Sequence, residues 1–401
     1  MSLLLKIYYV IFVYVGFADF GLSQAVIDIL AIGFIFLSVL EEKMQLKLPK
    51  KEFKYYLSCV LIPAIVIFLY SIITQLLLEF SFDYLKNTFT ICFRFILYTF
   101  CGVRAAYVFK TRVMNVLLFS CIVAYIPALI QYFIKSGLIY GIVYLFKDDA
   151  YAEQIALEVH RLTYVFGFIA FYFFYQKFAY KQKVMPEFIV SFILMLIGMK
   201  RIALFASVIV IIAFFVLKFF KQKNISKILS VASVFIIFVA LGYIYLIKSG
   251  LLQQMFNKYA IGDSFRFNFW NYISKKYEFS PTFLGYGISY SRRMMWHEWS
   301  NIEGLGEITN IHNDVLGYYV GLGFIGFILF WIMYFLIQFR LIKKSFSLRA
   351  ATFCFLLSFY YFIIMATSNE GLPGFIYGFY FTAIIATITA DKAENINEVS
   401  A

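Results

Sequence analysis

Residues 202–220 read IALFASVIVIIAFFVLKFF and contain one charged residue, Lys218. A run of roughly 20 mostly apolar residues is the length that an α-helix needs to cross a bilayer. In the whole chain of 401 residues, 63% are hydrophobic and 14% are charged, whereas soluble domains contain about 45–50% and about 25%. A soluble fold could not hide so much apolar surface from water. The sequence therefore predicts an all-α polytopic membrane protein, and it excludes a cytoplasmic enzyme, a disulfide-stapled secreted domain and a disordered protein.

Similar apolar runs recur along the chain and predict about twelve membrane-spanning helices. They cover residues 3–20, 22–40, 55–79, 89–109, 113–134, 162–180, 185–199, 202–220, 228–247, 313–339, 350–367 and 372–390. The first run contains Lys6 and has no small-x-small cleavage site, so we interpret it as a spanning helix rather than a cleavable signal peptide. The predicted organisation is nine helices in residues 1–247, a large loop in 248–311, and three helices with a tail in 312–401.

Lysine and arginine residues concentrate in alternate connections between the predicted helices. These residues are Lys43, Lys47, Lys50, Lys51, Lys54, Lys110, Arg112, Lys181, Lys183, Lys218, Lys221, Lys223, Lys227, Arg340, Lys343, Lys344 and Arg349. Because short cytoplasmic loops carry an excess of Lys and Arg, we predict that this side and both termini are cytoplasmic. The net charge of +13 then reflects membrane orientation, and we expect no nucleic-acid partner.

The opposite side of the predicted bundle carries the two longest connections, Lys135–Arg161 and about 248–311. The second is far longer than the few residues of an ordinary connection, so it has room for a small extramembrane subdomain. All three histidines, His160, His297 and His312, fall on this side. Functional residues concentrate in loops that a rigid scaffold positions. We therefore predict that the functional site lies on the extracytoplasmic face.

Several short motifs lack the context that their chemistry requires. Gly321, Gly323 and Gly326 match the dinucleotide-binding pattern GxGxxG, but no strand precedes them, so we interpret them as a helix-packing face. The pair His297-Glu298 lacks the second histidine of a zinc-binding HExxH motif. All five cysteines lie in apolar runs, and their spacing is not that of metal ligands. They are Cys59, Cys92, Cys101, Cys121 and Cys354. We predict no metal site and no cofactor.

Cationic residues within or at the outer ends of predicted helices are stronger candidates. An arginine at the centre of a membrane helix costs about 2.5–3.5 kcal/mol on insertion scales. Arg94 lies near the outer end of the fourth helix, where a functional and an interfacial role fit equally. For Arg104, nearer the cytoplasmic end, we expect the side chain to snorkel to the inner headgroups. Lys200 and Arg201 occupy the outer turn of a helical hairpin, where positive charge runs against the orientation rule, so we predict a functional role.

Residues 263–277 of the large loop have the pattern of an amphipathic helix. Trp270, Ile273 and Tyr277 recur at spacings of three and four residues and form an apolar stripe suited to lying on the membrane surface. Arg266 lies one turn before Trp270 and would sit at that boundary.

His312 lies at the outer end of the tenth predicted helix. An unperturbed histidine has a pKa of about 6.5, so it is mostly neutral at pH 7 and can accept a proton from a substrate hydroxyl. Asp314 or Glu307 could orient the imidazole if the fold brings either near. By itself, a lone histidine at this position fits the role of an interfacial aromatic residue better than that of a base.

The order of these features resembles the bacterial O-antigen polymerase and O-antigen ligase families, which include Wzy-type capsular polysaccharide polymerases. The shared features, mainly within residues 185–340, are the Lys200-Arg201 turn, Arg266-x-x-x-Trp270, Leu284-Gly-Tyr-Gly287, Ile311-His312-Asn313 and the glycine-rich helix that follows. The resemblance implies an enzyme of the bacterial plasma (inner) membrane, with its active site on the periplasmic face. Its substrates would be glycans carried by undecaprenyl diphosphate.

Within these families the polymerase transfers a growing O-antigen or capsule chain from its lipid carrier to the sugar hydroxyl of the next lipid-linked repeat unit. The resemblance implies catalytic roles for His312 as a general base and for two arginines at the diphosphate. The predicted catalytic residues are His312, Arg266 and Arg201, and the predicted substrate-binding residues are Lys200, Arg94, Trp270 and Asp314. The donor is already activated, so we expect a metal-independent glycosyltransferase. Expected partners are the lipid-linked oligosaccharide, membrane lipid, a chain-length regulator and a flippase.

Two other functions stay open at this point. An O-antigen ligase would use the same donor and transfer the glycan to lipid A-core. A lipid-linked oligosaccharide flippase should line a central cavity with charges on several helices and needs no long outer loop. The outer charges of this chain lie mostly in loops, which favours an enzyme over a flippase or other transporter. A sensor or scaffold is the remaining alternative.

Overall fold

The computed structural model describes residues 3–17, 23–41, 50–78, 81–137, 160–198, 200–259, 266–298, 312–368 and 374–400. Within these ranges every regular element is a helix, and no strand occurs. The prediction of an all-α membrane protein is confirmed. The predicted loop residues Glu307 and Ile311, and the side chains of His160 and His297, lie outside the described part.

The first half of the chain forms eight helices among the described residues. They are α1 (Leu3–Phe17), α2 (Gln24–Glu41), α3 (Lys50–Tyr56), α4 (Ile62–Leu78), α5 (Phe82–Phe109), α6 (Val113–Ser136), α7 (His160–Ala179) and α8 (Met185–Ile197). A π-helical turn, Leu57–Leu61, joins α3 to α4, and a 3-10 turn, Lys110–Arg112, joins α5 to α6.

The second half contains the loop helices and the last long helices. They are α9 (Arg201–Lys218), α10 (Gln222–Lys248), α11 (Leu251–Lys258), α12 (Arg266–Ser274), α13 (Tyr290–Glu298), α14 (Asp314–Trp331), α15 (Gln338–Ser345), α16 (Leu348–Met365) and α17 (Phe375–Ser400). A π-helical stretch, Ile332–Ile337, joins α14 to α15.

The long helices coincide with the predicted apolar runs. Seven continuous helical segments of the described residues are long and apolar enough to cross a membrane, and one of them, Phe82–Ser136, contains both α5 and α6. Helices α1 and α8 are shorter but apolar. The fourth predicted span begins earlier than expected, at Phe82 instead of residue 89. Its first turns are polar, and Asn87 donates a hydrogen bond to the Asp83 carbonyl (2.7 Å), so helical structure extends beyond the apolar part.

Helices α7, α16 and α17 form the centre of the bundle. In the α16 span 78% of residues are buried, against 22% in α2, so α2 lies at the periphery and exposes apolar side chains to lipid. The five cysteines are buried and free. Tyrosine hydroxyls in the centre donate to backbone carbonyls, which satisfies polar groups where water is absent. Tyr360 donates to Tyr164 (3.2 Å), and Tyr175 donates to Arg349 (2.8 Å).

Among the described residues, the basic connections around 181–183, 218–227 and 340–349 lie at one end of the bundle. Lys343 Nζ lies 2.7 Å from Ser226 Oγ, and Lys218 Nζ donates to the Phe178 carbonyl (3.1 Å). We call this the basic end. The large loop and the start of α14 lie at the opposite end. The assignment of the basic end to the cytoplasm stays a prediction.

The described part of the large loop packs against helices of the first half of the chain instead of standing apart from them. Tyr70 of α4 donates to the Leu284 carbonyl (2.6 Å), and Thr88 of α5 shares a hydrogen bond with Ser289 (2.9 Å). The described part of the loop therefore packs on the first half of the chain, and the predicted boundaries at 247 and 311 stay a prediction.

The glycine motif of α14 receives this loop. Gly287 N–H donates to the Gly321 carbonyl (2.8 Å), and Tyr286 N–H donates to the Val320 carbonyl (3.0 Å). Gly323 has a φ of +66° and breaks the helix at this contact. The predicted packing face is thus a close-approach site, in which Gly321 and Gly323 face loop backbone and Gly326 faces Tyr70 of α4.

Gly323→Ala is expected to destabilise the protein. A Cβ at Gly323 would lie 2.2 Å from the Leu284 carbonyl carbon, and a left-handed backbone costs a non-glycine residue about 1–3 kcal/mol. Thermal unfolding in detergent should show a lower midpoint temperature than wild type. The control is Gly242→Ala in α10, where a Cβ has nothing within 4 Å and alanine favours the helix. Equal midpoints for both variants would contradict the role of Gly323.

Candidate functional site

His312 lies in the turn before α14, with its backbone in the left-handed region (φ +46°). The next residue, Asn313, is fully buried. Its side-chain oxygen caps α14, and its Nδ2 donates to the Tyr243 hydroxyl (3.0 Å). Asp314 N–H donates to the Ser368 carbonyl (3.1 Å). These bonds attach the turn to α10 and to the end of α16, so the backbone that carries the imidazole is held on its C-terminal side.

Arg266, the first residue of α12, lies within electrostatic range of Tyr243. Its guanidinium interacts electrostatically with the Tyr243 hydroxyl, which also donates to the Ala366 carbonyl (2.8 Å). The ring of Trp270 packs edge-on against Tyr243, with ring centroids 6.4 Å apart. Tyr243 therefore connects Arg266 to the turn that carries His312.

The apolar stripe of α12 is buried in protein and does not lie on the membrane surface as predicted. Trp270, Ile273 and Tyr277 are each at most 5% exposed. Lys248, at the end of α10, donates to the carbonyls of Ser274 (2.5 Å) and Tyr277 (2.6 Å). The last carbonyls of a helix lack donors of their own, so Lys248 caps α12 and holds its apolar face against α10.

Lys200 and Arg201 lie at the start of α9, after a turn at Gly198. A Cβ on Gly198 would lie 2.3 Å from Thr163 Oγ1, near the start of α7. At the other end of both helices, Lys218 contacts the last turn of α7. Helices α7 and α9 therefore run parallel. The predicted hairpin is formed by α8 and α9, with Arg201 exposed at its tip.

Helix α7 also fixes where this tip lies relative to His312. The start of α7 contacts the C-terminal half of α16 through Tyr164 and Tyr360, and its end contacts the start of α16. Helices α7 and α9 are thus antiparallel to α16, and both begin beside the end of α16. Because Ser368 and Ala366 hold the His312 turn there, Arg201 and His312 lie at the same end of the bundle.

Two arginines at this end were not singled out from the sequence, Arg161 and Arg292. Arg292 lies on α13, and its side chain is exposed. Although the residue keeps solvent-exposed surface, its pKa is lowered from the usual value, first by desolvation from the surrounding protein and then by the positive charges of Arg94 and Arg161, while Asp314 acts in the opposite direction. The sequence signal that could have identified these arginines is positive charge on the outer face. Such charge runs against the orientation rule, as it does at Lys200-Arg201.

Residues 186–331 match the O-antigen ligase family. The match runs from α8 to the end of α14, so it includes Arg201, Arg266, His312 and the glycine contact between the loop and α14. The resemblance to the O-antigen polymerase and ligase families is confirmed over this region. None of the curated proteins compared with the chain matches it.

Outside the O-antigen ligase region, Arg94 has a structural partner. It forms an ion pair with Asp28 of α2 (3.0 Å), and Asp28 also accepts a hydrogen bond from Tyr98 (2.5 Å). Arg94 therefore joins α5 to α2, while its charge still reaches Arg292. Its predicted contact with substrate stays a prediction.

Arg104 is fully buried and does not snorkel to the headgroups as expected. Its Nε donates to Ser38 Oγ and its Nη2 donates to the Ser38 carbonyl, both at 3.0 Å. Ser38 lies in the last turn of α2, where carbonyls have no donor within the helix. Arg104 supplies that donor from α5, so the prediction was wrong because a helix end lies within reach.

Among the described residues, three helices that begin at the end of the bundle carrying His312 have an arginine in their first turn. Helices α7, α9 and α12 begin there, and helix N-termini carry positive partial charge. Arg161, Arg201 and Arg266 occupy the first or second residue of these helices, whose first turns contain no acidic residue. This arrangement suits a bound polyanion. Among the described residues, no group of three or more His, Cys, Asp or Glu could hold a metal ion.

Proposed function

We propose that this protein is a glycan polymerase of the bacterial plasma (inner) membrane. It transfers a growing O-antigen or capsule chain from undecaprenyl diphosphate to a sugar hydroxyl of the next lipid-linked repeat unit. The observation that carries the proposal is the location of Arg201, Arg266 and His312 at one end of the bundle, opposite the basic end. The family match to residues 186–331 supports the same class of chemistry.

The proposed donor site is the electropositive surface around Arg201 and Arg266. The bond between the sugar and the diphosphate breaks, and negative charge grows on the diphosphate as it leaves. Guanidinium groups pair with phosphate oxygens through two parallel hydrogen bonds. Stabilisation of growing charge is strongest where donors are fixed in advance and water is scarce. The helix N-termini at the first residues of α9 and α12 add to this field.

The proposed general base is His312. Its imidazole takes the proton from the acceptor hydroxyl while that oxygen forms the new bond to the anomeric carbon. Asn313 and Asp314 hold the turn in place. Residues other than glycine are uncommon in the left-handed region, where histidine is among the more frequent of them, and such conformations cluster at functional sites.

The predicted substrate-binding residues fit this proposal in different ways. Lys200 lies beside Arg201 and would contact the same diphosphate. Trp270 is 5% exposed, so we assign it the positioning of Tyr243 and Arg266 in place of stacking on a sugar. Asp314 lies two residues after His312 and acts electrostatically on Arg292, so it would orient one of them.

The site would face the periplasm, because the opposite, basic end carries the loops that we predict to be cytoplasmic. Lipid-linked repeat units would then arrive from a flippase, and a chain-length regulator would act on the growing glycan. Both partners belong to the proposal.

The second candidate function is an O-antigen ligase, which the description of the matching family favours. Deletion of the gene separates the two functions by product. We expect surface glycan from the deletion strain to carry single repeat units in place of a polymer ladder on gel electrophoresis. Full-length polymer that accumulates on the lipid carrier would instead identify a ligase.

A further inference from the structure

The hydroxyl of Tyr243 on α10 joins the start of α14 to the end of α16. It donates a hydrogen bond to the Ala366 carbonyl (2.8 Å) and accepts one from Asn313 Nδ2 (3.0 Å). A carbonyl only accepts and an amide nitrogen only donates, so the direction of both bonds is fixed. The single proton of the hydroxyl is thereby committed to Ala366. No motif in the sequence singled out Tyr243.

Asn313 uses both ends of its side chain, and only one of them serves the helix. The residue is fully buried, and its Oδ1 accepts the Leu316 N–H (2.9 Å) as the N-terminal cap of α14. Serine, threonine or aspartate also supplies such an oxygen, so capping alone does not require an amide. The buried amide nitrogen is destabilising unless an acceptor meets it. Tyr243 is that acceptor, so the bond between the two side chains is a requirement separate from capping.

This bond acts on the residue that directly follows His312. His312 has a φ of +46°, and Asn313 returns the chain to an extended conformation (φ −162°, ψ 90°) before α14 begins. The position of the imidazole therefore depends on where Asn313 is held. Tyr243 also contacts α12, because its ring packs against Trp270, with ring centroids 6.4 Å apart, and its hydroxyl interacts electrostatically with Arg266. One side chain of α10 thus lies against both the His312 turn and the helix that begins with Arg266.

We infer that Tyr243 is a positioning residue for the transfer reaction, which holds His312 in place through its bond to Asn313. The inference rests on the proposed function, in which His312 is the general base. A base must lie within hydrogen-bond reach of the hydroxyl that it deprotonates, and a displacement of about 1 Å can lower the rate by about 10²-fold. Tyr243 contacts no reacting atom in this assignment. It fixes the turn, and His312 takes the proton.

The test removes one side of this bond at a time from the full-length protein in lipid nanodiscs. The substrates are lipid-linked repeat units extracted from the deletion strain. Tyr243→Phe removes the hydroxyl and keeps the ring on Trp270, and it should lower kcat by roughly 10- to 100-fold. Its affinity for undecaprenyl diphosphate, measured by native mass spectrometry, should stay within about twofold of wild type, because an effect on His312 alone leaves donor binding unchanged.

Asn313→Ser tests the other side of the bond, since serine keeps an oxygen to cap α14 and lacks the amide nitrogen. It should lose about as much rate as Tyr243→Phe. The double variant should lose no more than either single variant, because both substitutions break the same bond. Losses that multiply would show that the two residues act independently, which contradicts the inference.

The control for lost stability is Tyr175→Phe. Tyr175 donates a bond of the same kind to the Arg349 carbonyl (2.8 Å) at the basic end. This variant should lower the unfolding temperature as Tyr243→Phe does, while its kcat stays at the wild-type value. An equal fall of kcat in both variants would reduce the effect of Tyr243 to general stability and overturn the positioning role.

The His312→Asn background separates this inference from the proposed function. Because Tyr243 acts through the imidazole, Tyr243→Phe should cause no further loss in the residual rate of His312→Asn. An equal loss with and without the imidazole, an unchanged kcat in Tyr243→Phe, or a loss of donor affinity in place of kcat would overturn the positioning role and leave His312 as the base. A wild-type rate in His312→Asn would instead remove the base itself, and the inference would fall with it.

Discussion

Replacement of His312 is expected to lower the rate of polymer formation by about 10²–10⁴-fold, the usual contribution of a general base. Without the imidazole, the acceptor hydroxyl keeps its proton and attacks the anomeric carbon poorly. The measurement is the polymer ladder of a complemented deletion strain, followed by the rate with purified protein. Protein level and unfolding temperature are recorded for each variant.

The choice of substitution matters because His312 has a φ of +46°. Alanine in this conformation carries backbone strain of about 1–2 kcal/mol, whereas glycine adopts it freely and asparagine tolerates it. His312→Gly and His312→Asn should therefore fold like wild type and still lack activity. Wild-type rates in both variants would remove His312 from the mechanism. Loss of activity in His312→Ala alone would show that the backbone turn matters and the imidazole does not.

The membrane-spanning helices could be predicted because hydropathy and bilayer thickness act locally along the chain. The start of α5 could not, since its first turns are polar and are stabilised by helix bonds and by Ser289 and Arg293 of the distant loop. The prediction that Arg104 snorkels to the headgroups was wrong for a similar reason. Its interaction with the end of α2 joins positions 66 residues apart, and residue spacing carries no information about that contact.

The candidate site likewise contains residues that could be predicted from the sequence and residues that could not. Arg201, Arg266 and His312 could be selected because they occur in a recognisable order on the outer side. Arg292 was not selected because the residues that act on its charge, Arg94 and Arg161, belong to α5 and α7, which are distant in sequence. The glycines of α14 were recognised as a site of close approach, but the loop that fills it arrives from positions 283–287. Three-dimensional neighbours of this kind require coordinates.

Arg201 and Arg266 are expected to act on one diphosphate, and a double-mutant cycle tests this directly. Each single substitution to glutamine should lower the transfer rate by about 10²-fold, the lower range for loss of one fixed donor to a charged transition state. Independent residues would multiply these losses to about 10⁴-fold. If both arginines contact the same leaving group, the first substitution already disrupts the geometry that the second arginine requires. The second substitution then lowers the rate by less than it would in the wild-type protein. The double variant should therefore fall by only about 10³-fold, a coupling of about 1.4 kcal/mol.

The control cycle pairs Arg266→Gln with Lys258→Gln, which removes the same charge from the same side of the protein without a role in the site. That pair should show no coupling, so a general effect of lost positive charge on lipid-diphosphate binding can be subtracted. Lysine replacements separate charge from geometry, since lysine keeps the charge but cannot form the two parallel bonds of a guanidinium. Recovery of less than tenfold in Arg266→Lys would favour paired hydrogen bonds over simple attraction. A fully multiplicative double variant would mean that the two arginines contact different groups, because additivity is the behaviour of sites that share no partner.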